Sequence, residues 1–257
     1  MEARGPQVEE RGPAAYLAEF LGTLLLVFFV TMAVSLFVSQ PSPQNPAPFI
    51  DFSVLGLVHV FVLFVLVQTL AVVSGAHFNP AVTAAMAFLR QIRPADAGIY
   101  VLAQLAGAVA GALLTKLLLT DFANAEAVNY GATVLSDRID EKVMLGMLGE
   151  FIGTFILVMT IIGVAVDPRI DRALAPLAIG VALGLGVMIM GSLTGGGFNP
   201  ARSFGPAIVS GEWGDALDWI LSYLVAPLLG AVAAAVAYTG LFTAPGAKPA
   251  DTMGPVG

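Results

Sequence analysis

Six apolar runs alternate with short polar segments along the chain, at roughly 14–38, 51–73, 96–119, 143–166, 173–194 and 217–242. A helix needs about 20 apolar residues to cross a hydrocarbon core about 30 Å thick, so the pattern predicts six transmembrane helices. The first run follows the polar stretch MEARGPQVEERGP. It is longer than a signal-peptide core and has no small-residue cleavage site after it, which predicts a retained span. The segment 39–50 (SQPSPQNPAPFI) is rich in Pro and polar residues and leaves the membrane. The segment 121–142 mixes Asp, Glu, Asn, Arg and Lys and reads as an exposed loop.

Two apolar segments remain that are too short to span: NPAVTAAMAFL (79–89) and NPARSFGPAIV (199–209). At 1.5 Å per residue each reaches about 16 Å, half the hydrocarbon thickness. Both open on Asn-Pro, a strong N-cap followed by a residue suited to the first helical position. Both follow Gly-containing turns, SGAHF and TGGGF. Each is predicted to be a half-helix entered by a re-entrant loop. Non-helical backbone survives at that depth only when buried in protein or lining a water-filled cavity.

The chain also repeats itself. AEFLGTLLLVFFVT (18–31) matches GEFIGTFILVMTII (149–162), with Glu19 over Glu150, and the tripeptide Asn-Pro-Ala recurs at Asn79, Pro80, Ala81 and at Asn199, Pro200, Ala201. Each half holds three spans and one half-helix. An odd number of spans inverts the second copy relative to the first, giving an inverted-topology repeat. The half-helices then enter from opposite sides, and their N-termini meet near the midplane. Unsatisfied N–H groups and positive dipole ends converge there.

Composition removes other function classes. Of the 257 residues, 58% are hydrophobic and only 11% charged, too few to coat a soluble enzyme of this size. Zero Cys excludes disulfides, thiolate metal sites and cysteine nucleophiles. The net charge of −7 argues against a nucleic-acid partner, and two His are too few for a His-rich metal site. No bound cofactor is implied. With the N-terminus inside, Arg4, Arg11, Arg90, Arg93, Arg169, Arg172 and Lys248 fall on the inner side and Arg138, Lys142 and Lys116 on the outer. That excess predicts a multi-pass integral membrane protein with both termini cytoplasmic. Arg202 belongs to neither set. A charge at membrane depth defaults to a functional role.

AEF.GT at the first span, SGAHFNPAVT, and GGGFNPARSFGPA in inverted halves resemble the aquaporin (major intrinsic protein) family over about residues 14–243. The resemblance implies an all-α membrane fold, a bundle of six transmembrane helices plus two re-entrant half-helices. It places tails at 1–13 and 244–257 around a channel domain at 14–243, with repeats at about 14–120 and 143–243. It also implies a pore in each protomer, a homotetramer in the lipid bilayer and no catalytic step. Asn79 and Asn199 would turn a passing water so that the proton wire breaks, and the local positive field would bar cations. Arg202 would stand at the outer constriction. Spacing within the family's motif carries the rest of the selectivity filter onto His59, Val187 and Gly196. This set resembles that of plant tonoplast intrinsic proteins, which pass water and often ammonia. It differs from both water-strict aquaporins and glycerol facilitators.

Other positions bear on the solute. Val187 removes a polar wall, Gly196 takes up no side-chain volume, and His59 restores a polar group that should be neutral beside Arg202. Ser203 after the Arg, Ala207 and Tyr223 depart from the glycerol-facilitator pattern, while Leu224 departs from the water-channel one. His77 is either pore-lining and pH-sensing or a loop-packing residue. Glu19 and Glu150 are placed to accept hydrogen bonds from the re-entrant loops. Gly107, Gly111, Gly180, Gly184 and Gly186 read as close helix packing. The sequence therefore predicts a passive channel for water and small neutral solutes, ammonia first. The alternatives are a glycerol or urea facilitator and, less favoured, a coupled secondary transporter. The last would need intramembrane carboxylates beyond Glu19 and Glu150, and the spans offer almost none.

Overall fold

The computed structural model describes residues 11–38 and 49–242. Arg4, Lys248, most of the predicted tails and most of the Pro-rich segment 39–50 lie outside them. The described residues contain helices and turns, with no strand. Six helices are long and apolar enough to cross a membrane: Pro13–Phe37, Phe52–Ser74, Pro94–Leu118, Val143–Val166, Ala175–Thr194 and Ala216–Leu241. They follow the apolar runs within a few residues.

In chain order the elements are α1 (Pro13–Phe37), α2 (Phe49–Ser74), α3 (Pro80–Phe88), α4 (Pro94–Leu118), α5 (Ala123–Ala127), α6 (Val143–Ile161), α7 (Ala175–Thr194), α8 (Pro200–Ser210), α9 (Ala216–Ile220) and α10 (Ala226–Phe242). A π-helical turn, Ile162–Val166, extends α6, and a second, Leu221–Val225, joins α9 to α10. "Inner" below means the side where α1 begins, and "outer" the side where it ends.

The long helices are apolar nearly all round, as expected when lipid is the solvent on one side and protein lies on the other. Leu17, Leu21, Leu25 and Phe29 form an exposed stripe along α1, and Leu145, Leu148, Ile152 and Ile156 another along α6. The opposite faces are small. In lipid there is no hydrophobic drive between helices, so close van der Waals approach has to hold them. A Cβ on Gly107 or Gly111 of α4 would overlap the Phe20 or Leu24 carbonyl of α1, and one on Gly230 of α10 would overlap the Phe151 carbonyl of α6. A Cβ on Gly180 or Gly184 of α7 would strike the Val60 or Gly56 carbonyl of α2. Of the glycines predicted to pack helices, Gly107, Gly111, Gly180 and Gly184 thus meet backbone of a facing helix, while Gly186 meets the Phe198 ring.

Helices α3 and α8 have 9 and 11 residues and stop at mid-depth. Asn79 caps α3 by accepting from Ala81 N at 2.8 Å, and Asn199 caps α8 by accepting from Ala201 N at 3.0 Å and Arg202 N at 3.2 Å. Pro80 and Pro200 take the first helical positions, where the missing N–H costs nothing.

The segment 121–142 departs from its reading as an exposed loop. It contains α5 and two 3-10 turns, and it buries Ala125, Tyr130 and Thr133. Lys116 and Asn124 pin it. The Lys116 ammonium donates to the Val209 carbonyl at 3.1 Å and lies 5.3 Å from the Tyr130 ring centre, while Asn124 Nδ2 donates to the Ser35 carbonyl at 2.7 Å. This polar segment folds back over the outer mouth, where Asn124 finds the Ser35 carbonyl, Tyr130 the Lys116 ammonium, and the Gly131 carbonyl the Arg202 guanidinium.

Candidate functional site

The two re-entrant loops are built twice on one plan. Glu19 is fully buried and accepts from Ser74 Oγ (2.7 Å), His77 N (2.9 Å), Phe78 N (2.7 Å) and Gln104 Nε2 (2.8 Å). Glu150, also fully buried, accepts from Thr194 Oγ1 (2.6 Å), Gly197 N (2.9 Å) and Phe198 N (2.6 Å). A carboxylate at this depth must be surrounded by donors, and the loop N–H groups are such donors. Tyr100 and Tyr223 complete the plan, donating to the Ser74 and Thr194 carbonyls at 2.7 and 2.8 Å.

The loops are strained where they turn. Ala76 and Phe78 in the first, and Gly196 and Phe198 in the second, hold φ between 48° and 61°, in the left-handed region. A non-Gly residue there costs about 1–2 kcal/mol. The backbone N–H of Phe78 and Phe198 donates to the buried Glu19 and Glu150, which offsets that cost. The Phe78 and Phe198 rings lie against Gly22 and Gly153, where a Cβ would overlap them.

The half-helix tips are tied to each other. Asn79 Nδ2 donates to the Phe198 carbonyl at 2.9 Å, and Asn199 Nδ2 donates to the Phe78 carbonyl at 2.8 Å. Each amide thus uses its oxygen on its own helix and one hydrogen on the opposite loop. Its second N–H hydrogen remains for a molecule beside it. Pro80, Ala81, Pro200 and Ala201 are buried directly behind the tips.

Three cavities lie in series through this arrangement. The outer one, about 350 Å³, is lined by His59, Val187, Gly195 and Arg202 among others. The middle one, about 30 Å³, is lined by His59, Arg202, Asn79, Asn199, Gly197 and His77 together with apolar side chains. The inner one, about 540 Å³, shares Ala76, His77, Val82, Ile161 and Ile179 with the middle one. The middle section is smaller than either neighbour by about tenfold or more, so the passage is narrowest there.

His59 and Arg202 line both outer and middle cavities and mark the passage between them. Nδ1 of His59 lies 2.7 Å from the Leu55 carbonyl, which can only accept, so Nδ1 carries the hydrogen. Nε2 is buried without a protein partner. Arg202 Nη1 donates to the Gly131 carbonyl at 2.9 Å, whereas its Nε is buried and unpartnered. None of the ion pairs among the described residues involves Arg202. Val187 supplies an apolar wall. Gly196 lies behind it, and a Cβ there would stand 3.3 Å from Val187 Cγ2. His77 packs edge-on to Tyr100, with Nδ1 3.1 Å from Thr83 Oγ1, at the junction of the middle and inner cavities.

Several structural partners were not among the candidate residues. Gly131, Gln104, Tyr100, Ser74 and Thr194 hold the site from elsewhere. Ser74, Thr194, Gly22 and Gly153 sit at matched positions of the repeat, so the internal alignment carries their signal. Gly131 has no such mark.

Paired half-helices meeting tip to tip beside a narrow passage, inside six spans, define a membrane channel. The major intrinsic protein family model matches residues 10–238, and the chain belongs to that family, the aquaporin channels. Among relatives, the probable aquaporin TIP2-2 of Arabidopsis thaliana is 37% identical over 89% of this chain and 87% of its own length. The glycerol uptake facilitator protein-like 6 of Lactiplantibacillus plantarum is 37% identical over 86% of this chain and 94% of its own. The X-ray structure of the aquaglyceroporin from Plasmodium falciparum superposes with a TM-score of 0.75 at 26% identity, covering 89% of this chain and 96% of that one.

Proposed function

We propose that this channel conducts water and small neutral solutes, ammonia first, and excludes ions. The observation carrying this reading is the pair of unpartnered nitrogens at the outer constriction. Neutral His59 presents Nε2 as an acceptor, and Arg202 presents Nε–H as a donor. Ammonia and water can each use both, whereas a cation meets a fixed positive charge. Val187 leaves an apolar wall on the other side, with no side chain on Gly196 behind it, which suits ammonia better than a fully polar ring would. Past the constriction, Asn79 and Asn199 each hold one free amide hydrogen. A water donating to neither and accepting from both has its hydrogens turned away along the file, which interrupts proton relay. Glu19 and Glu150 act as loop anchors rather than proton carriers, since their oxygens are taken up by loop and side-chain donors.

Residues 14–243 form the conducting unit, with both termini cytoplasmic. The unit works as a homotetramer with one pore per protomer. A glycerol-facilitating reading has support in the two glycerol-linked relatives, but Ser203 and the His59–Arg202 pair favour smaller solutes. Stopped-flow permeability of proteoliposomes decides between the two. Rapid water and ammonia flux with glycerol flux near background is expected. Glycerol flux comparable with water flux would replace this reading by the facilitator, and uphill uptake driven by a proton or sodium gradient would replace it by a transporter.

A further inference from the structure

Among the described residues, neither of the two arginines that line the inner cavity forms an ion pair. Arg11 and Arg172 both line it, together with Gln68, Gln91 and His77, and the other described lining residues are apolar, with no carboxylate among them. Arg11 Nε is buried without a partner. Glu9 and Glu10 lie outside the described residues, and the described carboxylates nearby are engaged elsewhere. Asp96 accepts from Arg11 N (3.3 Å) and Tyr16 Oη (2.7 Å) and lies 3.8 Å from Arg93 Nε. Asp167 pairs with Arg169 and accepts from Tyr238 Oη, and Asp171 accepts from Ala173 N. Arg11 is half-buried and Arg172 exposed where they line the cavity, so an anion held there would meet two like positive charges. Planar guanidinium forks match the oxygens of phosphate and carboxylate, and Arg is the favoured side chain for such pairs.

We propose that the inner cavity binds a phosphate-bearing anion between Arg11 and Arg172, and that the bound anion obstructs the single file. The cavity volume of about 540 Å³ holds a phosphate or a small phosphate ester. Because Ala76, His77, Val82, Ile161 and Ile179 border both this cavity and the middle one, an occupant stands across the inner end of the water path. The phosphate can come from a soluble ion or from a lipid headgroup at the rim, with the same chemistry. The obstruction rests on the channel reading above, whereas the binding does not.

Two measurements on the full chain test this. Calorimetric titration with pyrophosphate in neutral detergent should show saturable binding. Arg11→Gln and Arg172→Gln should each weaken it by about tenfold or more, on the scale of one charge-assisted hydrogen bond. Arg11→Lys, which keeps the charge and loses the fork, should fall between. In phosphatidylcholine proteoliposomes, pyrophosphate on both faces should lower water permeability severalfold relative to chloride at equal ionic strength, and the Gln variants should lose that response. Low permeability in vesicles containing phosphatidate, relieved by Arg11→Gln, would assign the phosphate to lipid. Absence of binding by wild type in both arms, or equal binding by the variants, would overturn the site. Binding with unchanged water flux would overturn the obstruction. Failure to conduct water at all would instead overturn the channel reading.

Discussion

At the outer end of the narrow file stand His59 and Arg202. The offset of 120 residues that carries Asn79 onto Asn199 carries His59 onto Ile179, and Val82 onto Arg202. Ile179 and Val82 line the inner end of the same file. The frames around the two ends are alike: a buried Glu, a Ser or Thr hydroxyl on it, a Phe ring on a Gly and a Tyr on the loop carbonyl. The differences lie in the side chains that face the passage and in one polar contact behind each loop. In the first loop, Gln104 bridges Glu19 Oε2 and Thr83 Oγ1 at 2.8 and 3.0 Å. In the second, the corresponding hydroxyl, Ser203 Oγ, is buried without a partner. The frame is thus duplicated because each half must fold its loop, while the filter is made once because one polar ring suffices to discriminate.

Removing a frame position should have the largest effect. Gly153→Val or Gly22→Val would drive side-chain atoms into the Phe198 or Phe78 ring, so each should abolish the folded channel, seen as aggregation on size-exclusion chromatography and loss of water flux. Equal severity in the two halves is expected, and tolerance in either would break the symmetry of the frame. Glu150→Ala strands three donors, at about 1–3 kcal/mol each, and should behave similarly.

Making the ends alike is the next test. Arg202→Val gives the outer end its inner counterpart's residue and should raise glycerol and urea permeability about tenfold, the worth of one charge-assisted hydrogen bond, with folding retained. Unchanged selectivity in stopped-flow assays would remove Arg202 from the filter. His59→Phe should narrow the same point and lower ammonia flux a few-fold more than water flux; equal loss of both, or no change in either, would show that His59 does not discriminate.

The smallest effect belongs to a site outside the file. The Arg169 guanidinium and the Tyr238 hydroxyl hold the Asp167 carboxyl below the usual carboxylate range. A depressed folded value stabilises at pH above about 3.9, the unfolded value, and that stability is lost as pH falls through the folded one. Tm should therefore be flat from pH 5 to 8 in this respect and fall in acid. Asp167→Asn should lower Tm slightly at pH 7 and flatten the acid fall; an undiminished acid fall in the variant would assign it to other carboxylates.

Hydropathy and length alone located the six spans and the two short helices, because lipid allows only helices of adequate length and leaves short apolar segments no role but a buried one. The internal repeat placed Glu19, Glu150 and both Asn-Pro-Ala tripeptides in equivalent positions. Hydropathy could not say that the polar segment 121–142 folds inward, since loop composition is the same whether its carbonyls face water or a buried Arg. Nor could it place Gly131, a residue 71 positions from Arg202 in a segment with no repeat counterpart in the first half. Gln104, likewise, reads as one polar residue on an apolar helix until α4 packs beside Glu19.

What the sequence determined by itself was the number of crossings, their inversion and the residues at the half-helix tips, all of which follow from local patterns of apolarity and capping. Only the fold brought each Asn amide to the opposite loop, Arg202 to a distant carbonyl, and the His59–Arg202 pair to one end of the file with Ile179 and Val82 at the other. Those outcomes depend on side chains far apart in the chain meeting at one depth in the membrane. Geometry between packed helices fixes that meeting, and no local pattern encodes it.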